Sequence, residues 1–472
     1  MNTPLFTALM KHQQNNPVSF HVPGHKNGKL FSREAACYFN EVLKLDVTEL
    51  TGLDDLHDPR GVIREAEELA ASLYGAERTY FLVNGSTAGN LAMILACCGE
   101  GDTVLVQRNS HKSVMNSLEL AKADPVFLSP KIDSVLHVPS YVEEESMAEA
   151  IRAFPHAKAL IVTNPNYYGV TADLSNTIRL AHSYGIPVLV DEAHGAHFGA
   201  GAPFPKSAIA MGADAVVQSA HKTLPAMTMG SYLHVSGSLL EKDRIGKILS
   251  MLQTSSPSYP IMASLDLARA YLQDIKESGS AAQMAENARE IREYFHSVKG
   301  IRAVSTSDPN AASDPLKFSL VSDCGLSGFE LQNRFERLGV FGELADEQNF
   351  LLIAGLGNAS LPERMMDHDA FLQGGKAGEK RTPVSFPVLP LTKLAFSYRE
   401  MERLEKEEVH ISVSAGRVLA EPIIPYPPGI PLVLSGEKIS EQHISWILQL
   451  KKSGARFQGS GEMGTAVVYK KG

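Results

Sequence analysis

The sequence of 472 residues predicts an α/β fold, with a large domain on a mostly parallel sheet and a smaller α+β domain after it. Short apolar runs alternate with helical stretches between about residues 75 and 235, which is typical of an open α/β sheet. Several of these runs lack polar alternation, as expected for strands that helices cover on both faces. The predicted strands lie at 79–85, 103–108, 159–165, 187–194 and 214–221.

The sequence also predicts a division of the chain into three parts. An N-terminal segment at 1–60 precedes the alternating core, a large domain occupies 61–300, and the smaller α+β domain occupies 301–472. The residues between Asp58 and Gly75 predict a helix, because an Asp-Pro pair suits its first turn and a glycine its end.

Composition and charge argue against several classes of protein. The net charge of −9 disfavours a nucleic-acid binder, because phosphate backbones need a basic footprint. No run approaches the ~20 apolar residues of a membrane helix, and the N-terminus lacks the apolar core of a signal peptide, so we expect a cytoplasmic protein. Scattered cysteines predict neither a disulfide framework nor a zinc site. They are Cys37, Cys97, Cys98 and Cys324.

A phosphate site is predicted where the first strand meets a helix, in the segment NGSTAGN (84–90). The first-turn amides of a helix have no partner within it, and the helix dipole is positive at this end. Gly85 lets an anion approach closely, while Ser86 and Thr87 add hydroxyl donors. The alternative is a simple helix cap, for which serine and threonine are favoured anyway.

Asp191 directly follows a predicted buried strand, in VLVDEAHG (188–195). A buried carboxylate is costly without a partner, and the protonated pyridine nitrogen of pyridoxal 5'-phosphate would be a suitable one. His194 would then face the phenolic oxygen of the cofactor, or the substrate. The alternatives are a turn-capping aspartate with a surface histidine, or a metal site, although no third ligand lies at a convincing spacing.

Lys222 follows the last predicted strand of the core. A lysine that holds pyridoxal 5'-phosphate as a Schiff base must reach it from a strand end or loop, while donors such as Ser219 and His221 hold the phosphate. His-Lys pairs occur at 25–26, 111–112 and 221–222. Only the third follows both the predicted phosphate site and the Asp191 strand, so Lys222 is preferred and Lys112 is a distant second choice.

Together these segments resemble the Orn/Lys/Arg decarboxylase family of fold-type-I enzymes that depend on pyridoxal phosphate (PLP). The resemblance covers most of the chain. It is to the short form of the family, which lacks the extra N-terminal domain of the long inducible members. The segments that carry it are FHVPGHKNG, TELTGLDDLHDPRG, FLVNGSTAGN, RNSHKS, TNPNYYGV, VLVDEAHGAHFG, QSAHKTLPAMTMGSYLHV and PYPPGIPL.

The resemblance implies roles for the residues singled out above. His111 would stack on the cofactor ring, Asp191 would pair with the pyridine nitrogen, and Lys222 would carry the cofactor. His194 stands where the long members usually have tryptophan. The residues expected around the phosphate are Ser86, Thr87, Ser219 and His221.

The reaction implied is loss of the α-carboxylate as CO₂ from a basic amino acid, arginine first and then lysine or ornithine, feeding polyamine formation. A distal cation needs carboxylates, for which Glu49, Asp54 and Asp55 are candidates; the alternative is that they cap helices or are solvated. The resemblance further implies a homodimer, or a higher even-numbered assembly, with shared active sites.

Other functions remain open on the sequence alone. An α-oxoamine synthase or a threonine-aldolase-like enzyme also has DEAHG and a downstream lysine, but HVPGHK, the histidine before Lys222 and PPGIP argue against both. An aminotransferase would give a keto acid instead of an amine. A non-catalytic protein that kept the fold would bind no cofactor.

Overall fold

The structure is a computed structural model that describes residues 1–357, 391–426, 431–452, 456–458 and 464–470. Of the segment PYPPGIPL, residues 427–430 lie outside the described residues. The chain divides into two compact units. The first comprises Met1–Cys97 with Pro187–Ala281, and the second comprises Cys98–Ile186 with Ala282–Gly472. The three-part division at 60 and 300 stays a prediction.

Helices occur in both units. In chain order they are α1 (Pro4–Gln14), α2 (Ala36–Leu45), α3 (Val62–Tyr74), α4 (Gly85–Cys97), α5 (Lys112–Ala121), α6 (Glu144–Ala153), α7 (Ser175–Ser183), α8 (Ala208–Met211), α9 (Ala220–Thr223), α10 (Lys242–Leu252), α11 (Tyr259–Ser278), α12 (Ala281–Ser297), α13 (Gly328–Arg337), α14 (Tyr398–Met401) and α15 (Glu441–Lys452). Short 3₁₀ turns lie at Ala196–Ala200 and Ile411–Val413.

The strands confirm the five predicted from the apolar runs, each slightly shorter than expected. In chain order the strands are β1 (Arg78–Leu82), β2 (Thr103–Gln107), β3 (Asp124–Leu128), β4 (Leu160–Thr163), β5 (Val170–Thr171), β6 (Val188–Asp191), β7 (Ala215–Gln218), β8 (Ser231–Val235), β9 (Ile301–Val304), β10 (Ala312–Ser313), β11 (Lys317–Ser322), β12 (Leu344–Ala345), β13 (Phe350–Ile353), β14 (Leu391–Lys393), β15 (Lys406–His410), β16 (Ile424–Tyr426), β17 (Arg456–Gln458) and β18 (Thr465–Tyr469).

Four strands of the first unit lie side by side in the order β1-β8-β7-β6. β6 and β7 are parallel, and Asp191 is paired with Val217 in their register. β8 runs antiparallel to both β7 and β1. Every residue of β6, β7 and β8 is buried, which explains why the runs VLV of β6 and AVV of β7 are apolar without alternation.

Helix α4 packs closely on this sheet because residue 89 is a glycine. A Cβ atom at Gly89 would lie 2.5 Å from Cγ2 of Val217 and 2.8 Å from Cδ1 of Leu82. Both neighbours are branched side chains of buried strands, so neither can move aside cheaply. The glycine therefore fixes the distance between the first turns of α4 and the strand β7.

Helix α3 begins later than the sequence predicts. Its N-cap is Gly61, and the carboxylate of Asp54 accepts bonds from the backbone amides of Gly61 at 2.8 Å and Ile63 at 3.0 Å. Asp58, the predicted cap, instead pairs with Arg60 at 2.6 Å. The predicted end is confirmed, since Gly75 adopts the left-handed conformation that favours glycine, with φ of +76°.

Helix α1 is held by a buried ion pair of α11. Asp266 and Arg269 are both fully buried, with 2.8 Å between Oδ1 and the guanidinium. Oδ2 of Asp266 accepts bonds from the backbone amides of Leu5 at 3.1 Å and Phe6 at 3.3 Å, which are unpaired first-turn amides of α1. Arg269 also donates to the carbonyl of Asn2.

Among its described residues, the second unit contains two groups of four strands, besides the two-stranded sheets β10-β5, β15-β18 and β16-β17. Strands β4-β2-β3-β14 form the first, in which β2 is parallel to β3 and β4 while β14 is antiparallel to β3. Strands β12-β13-β11-β9 form an antiparallel sheet against which α13 packs. Phe295, Phe318, Phe335 and Phe350 fill the core between them. The parallel pairs of both units confirm the predicted α/β class.

Candidate active site

Lys222 lies on the short helix α9, directly after β7. Ser219 is the N-cap residue of this helix, and the amide of Lys222 donates to its carbonyl at 3.1 Å. The side-chain amine of Lys222 lies 3.0 Å from Nε2 of His194. Two residues that the sequence places 28 positions apart are thus brought into hydrogen-bond contact.

His194 is buried in the tight turn that follows β6. The next residue, Gly195, allows this turn, because a Cβ atom there would lie 2.6 Å from Cγ of Glu192 and 2.9 Å from the ring of Phe198. Sequence analysis predicted His194 near the cofactor. Its contact with Lys222 supports that position and is more specific than the prediction.

Asp191 is the last residue of β6 and is buried. Its Oδ2 atom accepts a bond from the side-chain amide of Asn90 at 2.9 Å, and Oδ1 accepts one from the backbone amide of Ala193 at 3.1 Å. Both donors are neutral, so neither balances the charge of the carboxylate. Asn90 was not assigned a role from the sequence, although it lies one helical turn after Ser86 on α4 and so faces the same side.

The predicted phosphate residues lie at the N-terminus of α4. Gly85 has φ of +74°, and its amide donates to the carbonyl of Met229 at 2.9 Å. The hydroxyl of Ser219 donates to that of Ser86 at 2.9 Å, so β7 and α4 bring these two predicted residues together. Thr87, the next residue of α4, is exposed.

His221 is held by the loop before β8. Its Nδ1 atom lies 3.0 Å from the carbonyl oxygen of Gly230, and its backbone amide donates to the same oxygen at 3.2 Å. A carbonyl can only accept, so Nδ1 carries the proton that it donates. The ring orientation of His221 is therefore fixed from the backbone.

His111 belongs to the second unit, where it is the N-cap residue of α5. Its Nδ1 atom accepts a bond from the backbone amide of Ser113 at 3.2 Å and lies 2.8 Å from the hydroxyl of the same residue. This contact fixes the ring at the end of β2. Stacking of His111 on a cofactor ring stays a prediction.

The three acidic residues predicted for substrate binding are used differently from one another. Burial raises the pKa of Asp54, but backbone amides such as that of Arg60 outweigh it, so the pKa lies below its ordinary value. Asp55 accepts a bond from the amide of His57 at 2.8 Å, and Glu49 is exposed. Asp54 thus caps α3, as the alternative interpretation of the cluster expects, and a substrate role for the three residues stays a prediction.

The arrangement in the first unit fits pyridoxal 5'-phosphate. The amine of Lys222 can form a Schiff base with the aldehyde of the cofactor. The donors to the buried carboxylate of Asp191 are neutral, so a pyridinium nitrogen could be its charged partner. The hydroxyls of Ser86 and Ser219 meet at the start of a thirteen-residue helix, where an anion is favoured. The described residues contain no group of three or more metal-ligating side chains. None of the described helices is long and apolar enough to cross a membrane.

Comparison with known proteins gives matches over nearly the whole chain. A family model described as the major domain of the Orn/Lys/Arg decarboxylases matches residues 3–330, and one described as their C-terminal domain matches 386–463. The uncharacterized protein YaaO of Bacillus subtilis (strain 168) is 49% identical, over 98% of this chain and 96% of its own length. An arginine decarboxylase of the same organism is 37% identical, over 97% and 95%.

Solved structures agree on the fold. The lysine decarboxylase LdcF of Francisella novicida superposes with a TM-score of 0.82 over 99% of this chain and 81% of its own, at 20% identity. The constitutive lysine decarboxylase of Escherichia coli gives 0.78 over 99% and 82%, at 21% identity. These likenesses confirm the predicted fold-type-I architecture.

Proposed function

We propose, because the chain belongs to the Orn/Lys/Arg decarboxylase family, that it removes the α-carboxylate of a basic amino acid as CO₂ with the help of pyridoxal 5'-phosphate. The observation that carries this proposal is the convergence of three contacts in the first unit. They are Lys222 with His194, Asp191 with Asn90, and Ser86 with Ser219.

Pyridoxal phosphate, when bound, supplies an electron sink for the pair that the departing carboxylate leaves at Cα. Lys222 would hold the cofactor through its amine, and Asp191 would hold the proton of the pyridine nitrogen. Asn90 and the amide of Ala193 keep the Asp191 carboxylate oriented, because both donate to it.

Residues at two helix starts would bind the phosphate. Ser86 and Thr87 belong to the first turn of α4, where hydroxyls and first-turn amides can bind an anion, and Ser219 adds its hydroxyl from the start of α9. The ring of His221, oriented by the bond of its Nδ1 atom to the backbone, would lie against the phosphate. His111 would stack on the ring.

The substrate we propose first is arginine, with lysine next and ornithine after it. A relative at 37% identity is an arginine decarboxylase, which supports this order. Glu49, Asp54 and Asp55 would bind the distal cation, although Asp54 also caps α3. A role in polyamine formation, a cytoplasmic location and a homodimer with shared sites belong to the same proposal.

The test is a substrate panel with the purified protein. The protein is incubated with pyridoxal phosphate and with arginine, lysine or ornithine, and CO₂ and the product amine are measured. We expect one amine with an equal amount of CO₂, and a visible absorption band that is lost in Lys222→Ala. A ketone, aldehyde or keto-acid product, or a colourless protein, overturns the proposal.

A further inference from the structure

Glu192 is a fully buried carboxylate directly after Asp191. Its side chain accepts three hydrogen bonds: from the hydroxyl of Ser207 at 2.7 Å, the backbone amide of Ala208 at 2.7 Å and the side-chain amide of Gln218 at 2.6 Å. All three groups donate, which suits an ionised carboxylate. The sequence reveals no role for Glu192, because its partners lie 15 to 26 residues away.

The bond from Gln218 to Glu192 joins the ends of two parallel strands. Gln218 is the last residue of β7, directly before the segment that carries Ser219 and Lys222. Glu192 follows the last residue of β6, and its backbone amide donates to the carbonyl of Val217 at 2.9 Å. The side-chain bond therefore continues the hydrogen bonding between β6 and β7 beyond their last paired residues. It lies next to Asp191 and to the segment that carries Lys222.

A further contact fixes which way the Gln218 amide points. Its oxygen lies 3.1 Å from Nε2 of His234, whose Nδ1 lies 2.8 Å from the hydroxyl of Thr79. Burial lowers the pKa of His234 to about 3, so the ring is neutral and carries one proton. Since the amide oxygen accepts, that proton is on Nε2, and the amide nitrogen of Gln218 must face Glu192.

We propose that Glu192 is a positioning residue that sets the spacing between Asp191 and the segment Ser219–Lys222. This inference rests on the proposed cofactor site. Glu192 would contact neither the cofactor nor the substrate. It would act through the ends of β6 and β7, whose residues would contact them. Loss of its charge would leave the donors Ala208 and Gln218 competing for fewer acceptors, and the strand ends would separate or turn.

Titration of Glu192 gives the proposal a specific signature. Burial raises the pKa of Glu192 to about 7, against its three bonds, which lower it. The titratable groups on the elements around it are Tyr74, His197 and His234. Burial also raises the pKa of Tyr74 well above its ordinary value, so both Tyr74 and His234 are neutral near pH 7. Protonation of Glu192 would therefore loosen the cofactor site as the pH falls through about 7.

The variant Glu192→Gln tests the proposal, because it keeps the shape and removes the charge. Its matched control is Glu67→Gln, which makes the same change at another buried glutamate of the first unit, away from the strand ends. The dissociation constant of pyridoxal phosphate is measured on each apo-protein at pH 6 and pH 8 by equilibrium dialysis.

We expect Glu192→Gln to bind about tenfold more weakly than wild type at pH 8, in the range known for outer partners of bound groups. Relative to Glu67→Gln, it should also lose the part of the pH dependence that lies near pH 7. Ser207→Ala, a milder change, should raise the midpoint of that dependence, because it removes one donor to the carboxylate.

Four outcomes overturn the inference. If Glu192→Gln binds pyridoxal phosphate as tightly as wild type at both pH values, the inference is overturned and the proposed function is left intact. The same holds if Glu67→Gln weakens binding as much as Glu192→Gln does. Wild-type protein that binds no pyridoxal phosphate overturns the function and the inference together. If Glu192→Gln does not fold, an unchanged midpoint in Ser207→Ala decides against the inference.

Discussion

The amine of Lys222 and Nε2 of His194 are 3.0 Å apart, in a turn where the histidine is buried. Only one proton fits between two nitrogens at this distance, so one of the two groups must be neutral. Two positive charges in contact would repel each other, and burial adds to that cost. The contact therefore places a ring nitrogen that can accept a proton beside the amine, which acts as a nucleophile only in its neutral form.

His194→Phe should lower kcat for the amino-acid substrate by about a hundredfold, within the range of a lost proton-transfer group. KM should change little, because the ring shape is kept. The rate at which the visible band appears on adding pyridoxal phosphate should fall as well. His296→Phe, an exposed histidine of α12, is the control. An unchanged kcat in His194→Phe would show that the contact has no catalytic role.

Asn90→Ala should remove the hydrogen bond by which α4 holds the Asp191 carboxylate. The Asp191 carboxylate would keep the bond from Ala193 but lose the one from Asn90, and a buried hydrogen bond to a charged group is worth about 2 kcal/mol. We expect a loss of about that size in the free energy of unfolding, measured by urea denaturation, and weaker cofactor binding. Asn90→Asp should be worse, because it places two carboxylates in contact. Equal stability of Asn90→Ala and wild type would contradict this reading of the bond.

Glu67 should make stability depend on pH in a direction opposite to that of a salt-bridged carboxylate. Burial raises the pKa of Glu67 from its ordinary 4.5 to about 8, although the amide of Phe81 donates to it at 2.9 Å. Between these two values the folded state holds a proton that the unfolded state releases. The free energy of unfolding therefore falls as the pH rises from about 5 to 8.

The variant Glu67→Gln removes this contribution. Compared with wild type, it should be relatively more stable at pH 8 than at pH 6 in urea denaturation. The opposite order would mean that Glu67 is ionised in the folded protein well below pH 8.

Asp266→Ala should release α1 and leave the buried Arg269 guanidinium without its carboxylate partner. Removing one partner of a buried pair typically costs about 3–5 kcal/mol, and here it also removes the acceptor of the amides of Leu5 and Phe6. We expect a lower urea midpoint and faster proteolysis within the first fifteen residues. A double variant, Asp266→Leu with Arg269→Met, should recover much of the stability, because it leaves no buried charge. If it recovers none, the capping of α1 matters more than the ion pair.

Apolar runs were enough to predict the strands of the core, because strands buried on both faces have no alternation to obscure them. The start of α3 was wrong for a local reason: Asp54 folds back over seven residues to cap it, whereas Asp58 turns to Arg60. Asn90 was missed because its partner lies 101 residues away. Hydrogen bonds between distant strands and helices leave no pattern in a single sequence. Order along the chain, by contrast, selects Lys222 from the three His-Lys pairs, and its role as the cofactor lysine stays a prediction.

The absence of a side chain at Gly89 sets a length. Helix α4, whose start we propose to bind the phosphate, packs on Val217, and the chain continues from β7 to Lys222. The gap between the start of α4 and the backbone of Lys222 is thus a fixed span, which only the lysine side chain can adjust. We therefore expect the site to bind pyridoxal phosphate in preference to pyridoxal. Pyridoxal, which lacks the phosphate, would contact only the lysine, whereas the phosphorylated form would contact both the lysine and the start of α4.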